Sequence, residues 1–281
     1  MHTMWGSATD TGRVRTLNED ALLAYPPIFL VADGMGGHDA GDVASRLVVE
    51  EFSLLVGRPF VAIEDIHECF SRAAARLREV LGTRSGGATV AGAAIAMHDD
   101  AAYWLVFNIG DSRVYRVSGG ELEQVSVDHS VVQELMDAGQ LDEQDASVHA
   151  ERHVVTRALE TDSTPEPDYW MIPAGAQDRL LICSDGLTDE LDDDKIHVGL
   201  TLIGDPQEAA ESLVHAAVEA GGRDNITAVV VDVATIWHGL SSAERTHSYD
   251  DDEEQPSTDP LAEWDEQTHG VTHPRPRSVR S

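Results

Sequence analysis

Four aspartates share one local setting in this sequence. Asp33 follows Phe29-Leu30-Val31-Ala32 and precedes Gly34-Met35-Gly36-Gly37, and Asp111 follows Phe107-Asn108-Ile109-Gly110. Asp185 follows Leu180-Leu181-Ile182-Cys183-Ser184 and precedes Gly186, and Asp224 stands with Asn225 ahead of the apolar run 226–231. Each falls where an apolar strand is expected to meet a turn. One Asp-Gly at such a place is ordinary turn chemistry. Four carboxylates beside apolar strands are costly unless paired or coordinated, and 19 Lys+Arg stand against 51 Asp+Glu, with Lys195 the one lysine. Converging carboxylates suit hard cations with oxygen ligands, Mg²⁺ or Mn²⁺, which keep several waters. No Cys and His cluster has zinc spacing. Arg15, in Val14-Arg15-Thr16-Leu17-Asn18-Glu19-Asp20, has two open readings: a fork for a phosphate dianion beside a carboxylate–metal centre, or a surface salt bridge. Glu19 and Asp20 are open in the same way.

Strands and helices must hold these residues in place. Val43, Leu47, Val48, Phe52 and Leu55 recur at helical spacing, as do Ile66, Cys69, Phe70, Ala73, Leu77, Val80 and Leu81, which predicts two consecutive helices. Residues 28–32, 88–97, 102–109 and 113–117 read as strands, and Ser118-Gly119-Gly120 turns the last of them into 121–125 as a hairpin. Residues 129–160 read as irregular and partly helical, and strands resume at 169–172 and 180–184. Residues 206–220 form a helix opened by Pro206 and closed by Gly221-Gly222, followed by an apolar strand at 226–233. Strand and helix do not alternate in βαβ fashion, so the fold class is α+β, mostly antiparallel sheet covered by helices. Residues 1–239 read as one domain. Residues 240–281, with Asp250-Asp251-Asp252-Glu253-Glu254 and Pro274-Arg275-Pro276-Arg277, read as a disordered acidic tail.

Composition removes several functions. The net charge is −32, of which −26 lies on residues 1–239 with their 15 basic and 41 acidic side chains. Phosphate backbones and anionic membranes repel such a chain, so no nucleic-acid partner is expected. A P-loop needs Gly-Lys-Ser/Thr, and Lys195 follows Asp194. Cys69 and Cys183 form no disulfide framework and fit a reducing cytoplasm. Six residues beyond them stand Ala75 and Asp189, so neither begins the Cys-x5-Arg pattern of a cysteine-dependent phosphatase. No apolar run approaches the roughly 20 residues that span a bilayer, and the N-terminal Met-His-Thr-Met-Trp-Gly lacks the basic and apolar regions of a signal peptide. No membrane insertion is expected.

Five motifs then resemble, in order, those of bacterial PP2C-type (PPM) protein serine/threonine phosphatases: Gly12-Arg13-Val14-Arg15-Thr16-Leu17-Asn18-Glu19-Asp20, Ala32-Asp33-Gly34-Met35-Gly36-Gly37-His38, Asn108-Ile109-Gly110-Asp111-Ser112-Arg113, Cys183-Ser184-Asp185-Gly186-Leu187 and Arg223-Asp224-Asn225-Ile226-Thr227. The resemblance covers residues 10 to about 233 and implies a four-layer α-β-β-α sandwich, two packed antiparallel sheets flanked by helices. It implies two Mn²⁺ or Mg²⁺ ions held by Asp33, the Gly34 carbonyl, Asp185 and Asp224, with Asp33 bridging. Glu19 and Asp20 hold metal-bound waters, Asp111 joins Asp185 at a third, weaker ion, and Arg15 takes the substrate phosphate. The implied reaction hydrolyses phosphoserine and phosphothreonine in proteins by a metal-bridging hydroxide. The implied partners are phosphoprotein substrates, a Ser/Thr protein kinase and its targets, for a cytoplasmic monomer. Four departures are local. Met35 stands, as in bacterial members, where eukaryotic relatives have a histidine; Gly87-Ala88-Thr89 stands where Gly-Thr-Thr is common, His153 where asparagine is common, and Glu160 where glycine is common; His153 is expected to be structural. A mobile flap is expected at about 128–160, its Val131, Val132, Leu135, Met136 and Leu141 packed locally. A non-catalytic binding protein on the same scaffold is the competing reading, and the retained carboxylates weigh against it.

Overall fold

The computed structural model describes residues 1–36, 40–146, 149–161 and 164–236. The expected tail at 240–281 lies outside the described residues, as does His38, which the sequence marks as a packing or turn residue. Among the described residues eleven strands and seven α-helices follow in the order β1 (His2–Asp10), β2 (Asp20–Tyr25), β3 (Ile28–Gly36), α1 (Ala40–Phe52), α2 (Ile63–Leu81), β4 (Gly86–His98), β5 (Ala101–Ile109), β6 (Arg113–Ser118), β7 (Glu121–Gln124), α3 (Val131–Asp137), α4 (Glu143–Ala146), β8 (Leu159–Glu160), β9 (Asp168–Pro173), β10 (Arg179–Cys183), α5 (Asp185–Thr188), α6 (Asp193–Leu202), α7 (Pro206–Ala220) and β11 (Ile226–Thr235).

Two antiparallel sheets result. One runs β1-β11-β10-β6-β7 and the other β2-β3-β4-β5-β9, with β8 attached to β4. The period-2 alternation of each strand divides its side chains between two cores. On β3, Phe29 and Val31 join Ala91, Trp104, Val106, Leu180, Ile182, Val229 and Val231 between the sheets. Ile28, Leu30 and Ala32 turn the other way, onto Leu47, Val48 and Phe52 of α1 and Phe70, Ala73 and Leu77 of α2. On the far side Leu181, Ala228 and Val230 meet Ile196 and Leu200 of α6 and Ala209, Ala210, Leu213 and Ala217 of α7. The layers are therefore helix, sheet, sheet, helix, as the family resemblance implies. Each fully buried Leu or Phe contributes about 1.5–3 kcal/mol to holding them together.

The structure corrects one expectation about positioning. Asp33 does not end its strand: β3 continues through Gly36, pairing Asp33 with Asp20 on β2 and with Thr89 on β4, and Gly34 with Ala88. The Asp-Gly here is a strand interior whose missing side chain admits a neighbour. A Cβ on Gly34 would lie 2.2 Å from the Gly41 carbonyl oxygen and 2.6 Å from that of Glu19. In the segment expected to be a flap, Val132 alone among the five apolar positions is buried. Near its two ends the segment is joined by backbone, Val131 N to Val154 O at 2.9 Å and Thr156 N to His129 O at 2.8 Å.

Candidate active site

The acidic residues converge at one end of the two sheets. Asp33 and Asp20 are cross-strand neighbours in one sheet. Asp185 begins α5 directly after β10, and Asp224 precedes β11, the strand beside β10 in the other sheet. The Asp20 carboxylate bridges the sheets: Oδ2 accepts from Ser184 Oγ at 2.9 Å and from Thr227 Oγ1 at 2.6 Å. Asn225 locks the neighbouring turn. Its Oδ1 accepts from Glu19 N at 2.8 Å, while its Nδ2 donates to the carbonyls of Thr11 at 3.1 Å and Leu17 at 3.0 Å. The Gly34 amide donates to Glu19 O at 3.2 Å, which fixes Glu19 beside the glycine expected to offer its carbonyl.

Arg15 donates from Nη2 to Asp224 Oδ2 at 2.7 Å, with its side chain half exposed. Arg15 thus forms a salt bridge, and its partner is Asp224, one of the four aspartates that the sequence singles out. Hydrogen bonding to Asp224, with the Glu19 and Asp33 charges behind it, holds the guanidinium firmly protonated.

Asp111 sits on a loop braced from two sides. Thr89 Oγ1 and Ser112 Oγ are 2.7 Å apart, and the Gly110 amide donates to Nδ1 of the buried His129 at 3.1 Å. That acceptor role leaves the His129 proton on Nε2, which lies 3.0 Å from Asp168 Oδ2. Gly110 has φ +113°, and a Cβ there would lie 2.4 Å from that of Thr89, so glycine is required at this bend.

Electrostatics mark this cluster as incomplete. Burial, then repulsion from Asp20, Asp185 and Asp111, pushes the Asp33 carboxyl well above the usual carboxylate range. Burial and the Asp185 and Asp128 charges do the same to Asp111. Burial raises Asp20 to about 7 against the two hydroxyl donors that favour its charged form. Burial raises Asp185 to about 6, with Asp189 and Asp224 adding repulsion. Among the described residues, Asp20 Oδ1 and Asp185 Oδ1 are enclosed without a hydrogen-bond partner. Oxygen ligands in excess of positive partners, with lone pairs left over, fit hard divalent cations.

Sequence reasoning missed two contributors. His153 Nδ1 lies 3.3 Å from Asp189 Oδ2, and ligand atoms of His153, Asp185 and Asp189 lie within 4.8 Å of one another. Adjacency to Asp185 could have signalled Asp189, four residues on and just past the end of α5. Nothing in the sequence brings His153 to it. Ser184, Thr227 and Asn225 were likewise present in the motifs without a role.

Residues 13–214 match the family model described as protein phosphatase 2C. The serine/threonine protein phosphatase PstP of Mycobacterium tuberculosis is 36% identical over 246 residues, covering 84% of this chain and 46% of that protein. The chain thus spans about half the length of this curated relative. Among solved structures, the PPM Ser-Thr phosphatase MsPP of Mycobacterium smegmatis, in complex with cacodylate, is 38% identical with a TM-score of 0.75, covering 82% of this chain and 97% of that one. The catalytic domain of a PstP in complex with two manganese ions is 34% identical with a TM-score of 0.73, covering 83% of this chain and 99% of that one. With the layered fold, the ordered motifs and the carboxylate cluster in place, this chain belongs to the protein phosphatase 2C family. Among the described residues no helix is long and apolar enough to cross a membrane.

Proposed function

We propose that this chain is a divalent-metal-dependent phosphatase acting on phosphoserine and phosphothreonine in proteins. The observation that carries the reading is the set of enclosed carboxyls, Asp20, Asp33, Asp111 and Asp185, each raised by burial and by its neighbours, with Asp20 Oδ1 and Asp185 Oδ1 left without a partner among the described residues. Asp33, the Gly34 carbonyl, Asp185 and Asp224 would hold two Mn²⁺ or Mg²⁺ ions. Glu19 and Asp20 would orient waters around them, and Asp111 with Asp185 would hold a third; His153 and Asp189 stand close enough to Asp185 to share in that last site. When bound, such ions lower the pKa of a coordinated water to about 7 and offset charge on the phosphoryl oxygens. The manganese-bound relative supports this assignment by similarity.

The chain's own residues do the rest. Arg15 grips a phosphate dianion with its fork, exchanging one anionic partner, Asp224, for another. Thr227, Ser184 and Asn225 hold Asp20 and the Glu19 turn rigid while the charge beside them changes. Direct hydrolysis by water agrees with the state of the two thiols, neither of which is poised as a nucleophile: burial pushes Cys69 up to about 11 and Cys183 up to about 12. Residues 1–239 are the catalytic domain of a cytoplasmic monomer opposing a Ser/Thr protein kinase, and residues 240–281 are an acidic tail outside it. The test is release of inorganic phosphate from phosphothreonine and phosphoserine peptides by the full chain with Mn²⁺. Release that stops on chelation and in Asp33→Asn supports the reading; no release from any such peptide overturns it.

A further inference from the structure

Arg13 has a position that the fold does not explain. Every other lysine and arginine side chain among the described residues donates to a carboxylate or a backbone carbonyl. Arg13, exposed, makes no such side-chain contact among them, although residues 1–239 carry 41 acidic side chains against 15 basic ones. Its backbone is nonetheless fixed: Arg13 N donates to Gly222 O at 2.7 Å, two residues before Asp224. Gly222 has φ +57°, and a Cβ there would come within 3.3 Å of Arg13 Cγ, so the foot of the side chain lies against the loop that ends in Asp224. Two residues beyond Arg13, Arg15 is engaged with that aspartate. Between and beyond them Val14 and Leu17 are 65% and 42% exposed. Without a side-chain partner among the described residues, the Arg13 guanidinium therefore extends from anchored backbone two residues from Arg15, in a molecule whose remaining field repels anions.

We propose that Arg13 is a specificity-determining residue: it selects phosphoprotein segments that carry a second anionic side chain, a carboxylate or another phosphate, within about three residues of the phosphorylated one. This rests on the phosphatase reading above. Arg15 takes the phosphate to be removed, and Arg13 takes the neighbouring anion, which the acidic surface would otherwise turn away.

The test compares four phosphothreonine peptides differing only two positions to either side of the phosphothreonine, where they carry glutamate, alanine, arginine or phosphoserine. The full chain is assayed with Mn²⁺. An exposed, salt-screened pair predicts that kcat/KM for the glutamate peptide exceeds that for the alanine peptide about two- to fivefold, with the ratio shrinking as NaCl rises to about 0.5 M. Arg13→Ala brings the ratio to about one and Arg13→Lys preserves most of it. Arg13→Glu reverses the preference toward an arginine-flanked peptide. Because each ratio compares two substrates in one sample, loss of folded protein leaves it unchanged. The phosphoserine peptide, followed by loss of the phosphothreonine phosphate alone, supports the inference when it too exceeds the alanine peptide. A wild-type ratio of one on both anionic peptides, or a ratio that survives in Arg13→Ala, overturns the inference and leaves the phosphatase reading standing. No hydrolysis of any of the peptides by the wild type overturns both.

Discussion

Asp20 accepts two hydrogen bonds at one carboxylate oxygen and none at the other, and burial holds its proton up to about 7. In the unfolded chain the same group titrates near 4. A carboxyl with a raised folded pKa contributes stability that is full below its unfolded value and is lost as pH climbs through the folded one. In chelator the folded state is thus weakened between about pH 4 and pH 7 by Asp20, and Asp185, raised to about 6, adds to it in the same direction. Asparagine at position 20 keeps an oxygen for Ser184 and Thr227 and removes the charge. Metal-free Asp20→Asn is therefore expected to exceed wild type in urea-unfolding stability by about 1–4 kcal/mol near pH 8, with the gap closing toward pH 4; an asparagine variant weaker than wild type at the higher pH contradicts this. Arg15→Ala is expected to lower kcat/KM on phosphopeptides by about 10- to 100-fold without weakening Mn²⁺ binding, and Arg15→Lys to recover only part, since an ammonium lacks the fork. At this scale the sequence shows the carboxylates and Arg15 plainly, because each stands in a short string beside glycine or an apolar run. Ser184, Thr227 and Asn225 have no such signature: a hydroxyl or amide at a strand margin becomes a brace only once two sheets meet.

The elements differ in legibility for physical reasons. Helix α7 buries Ala209, Ala210, Leu213, Val214 and Ala217 and has Pro206 at its start, so its period and its boundary are both readable in the chain. Helix α6 buries only Ile196 and Leu200, too few to establish a period, and the sequence reading passes over it. Strands β1 and β2 also escape notice, because each is an edge strand, half solvated and weakly alternating. Asp33 is misplaced by one structural step: Gly34 and Gly36 look like a turn, yet they are strand positions emptied of side chains for close approach. Two substitutions test such close approaches, one in β3 and one in α5. Gly34→Ala would set a methyl 2.2 Å from the Gly41 oxygen, and Gly186→Ala would set one 2.0 Å from the Asn225 oxygen, both backbone atoms. Each is expected to destabilise the fold by more than about 2 kcal/mol and to weaken Mn²⁺ binding, read by thermal unfolding and by metal titration. A Gly57→Ala control, where nothing lies within 4 Å of the added methyl, meets only the local strain of a φ of +83° and is expected to leave metal binding intact.

For the whole molecule, the charge of −32 has two consequences that belong to different places. Most of it is spread over the surface, where self-repulsion opposes the compact state and salt relieves it. The unfolding midpoint of the metal-bound chain is expected to rise between about 0.02 and 1 M NaCl; a midpoint that stays level or falls contradicts a repulsive surface. A small share is concentrated where β3, β10 and β11 bring Asp33, Asp185 and Asp224 to one end of the sandwich, and there the excess is a demand for cations rather than for salt. The account stands or falls on that demand. Isothermal titration of Mn²⁺ into the chelator-treated full chain measures it directly. The expected result is about two tight sites per chain, with tight binding lost in Asp185→Asn while the variant remains folded. An absence of saturable binding by the wild type, or binding that Asp185→Asn leaves unchanged, would contradict it.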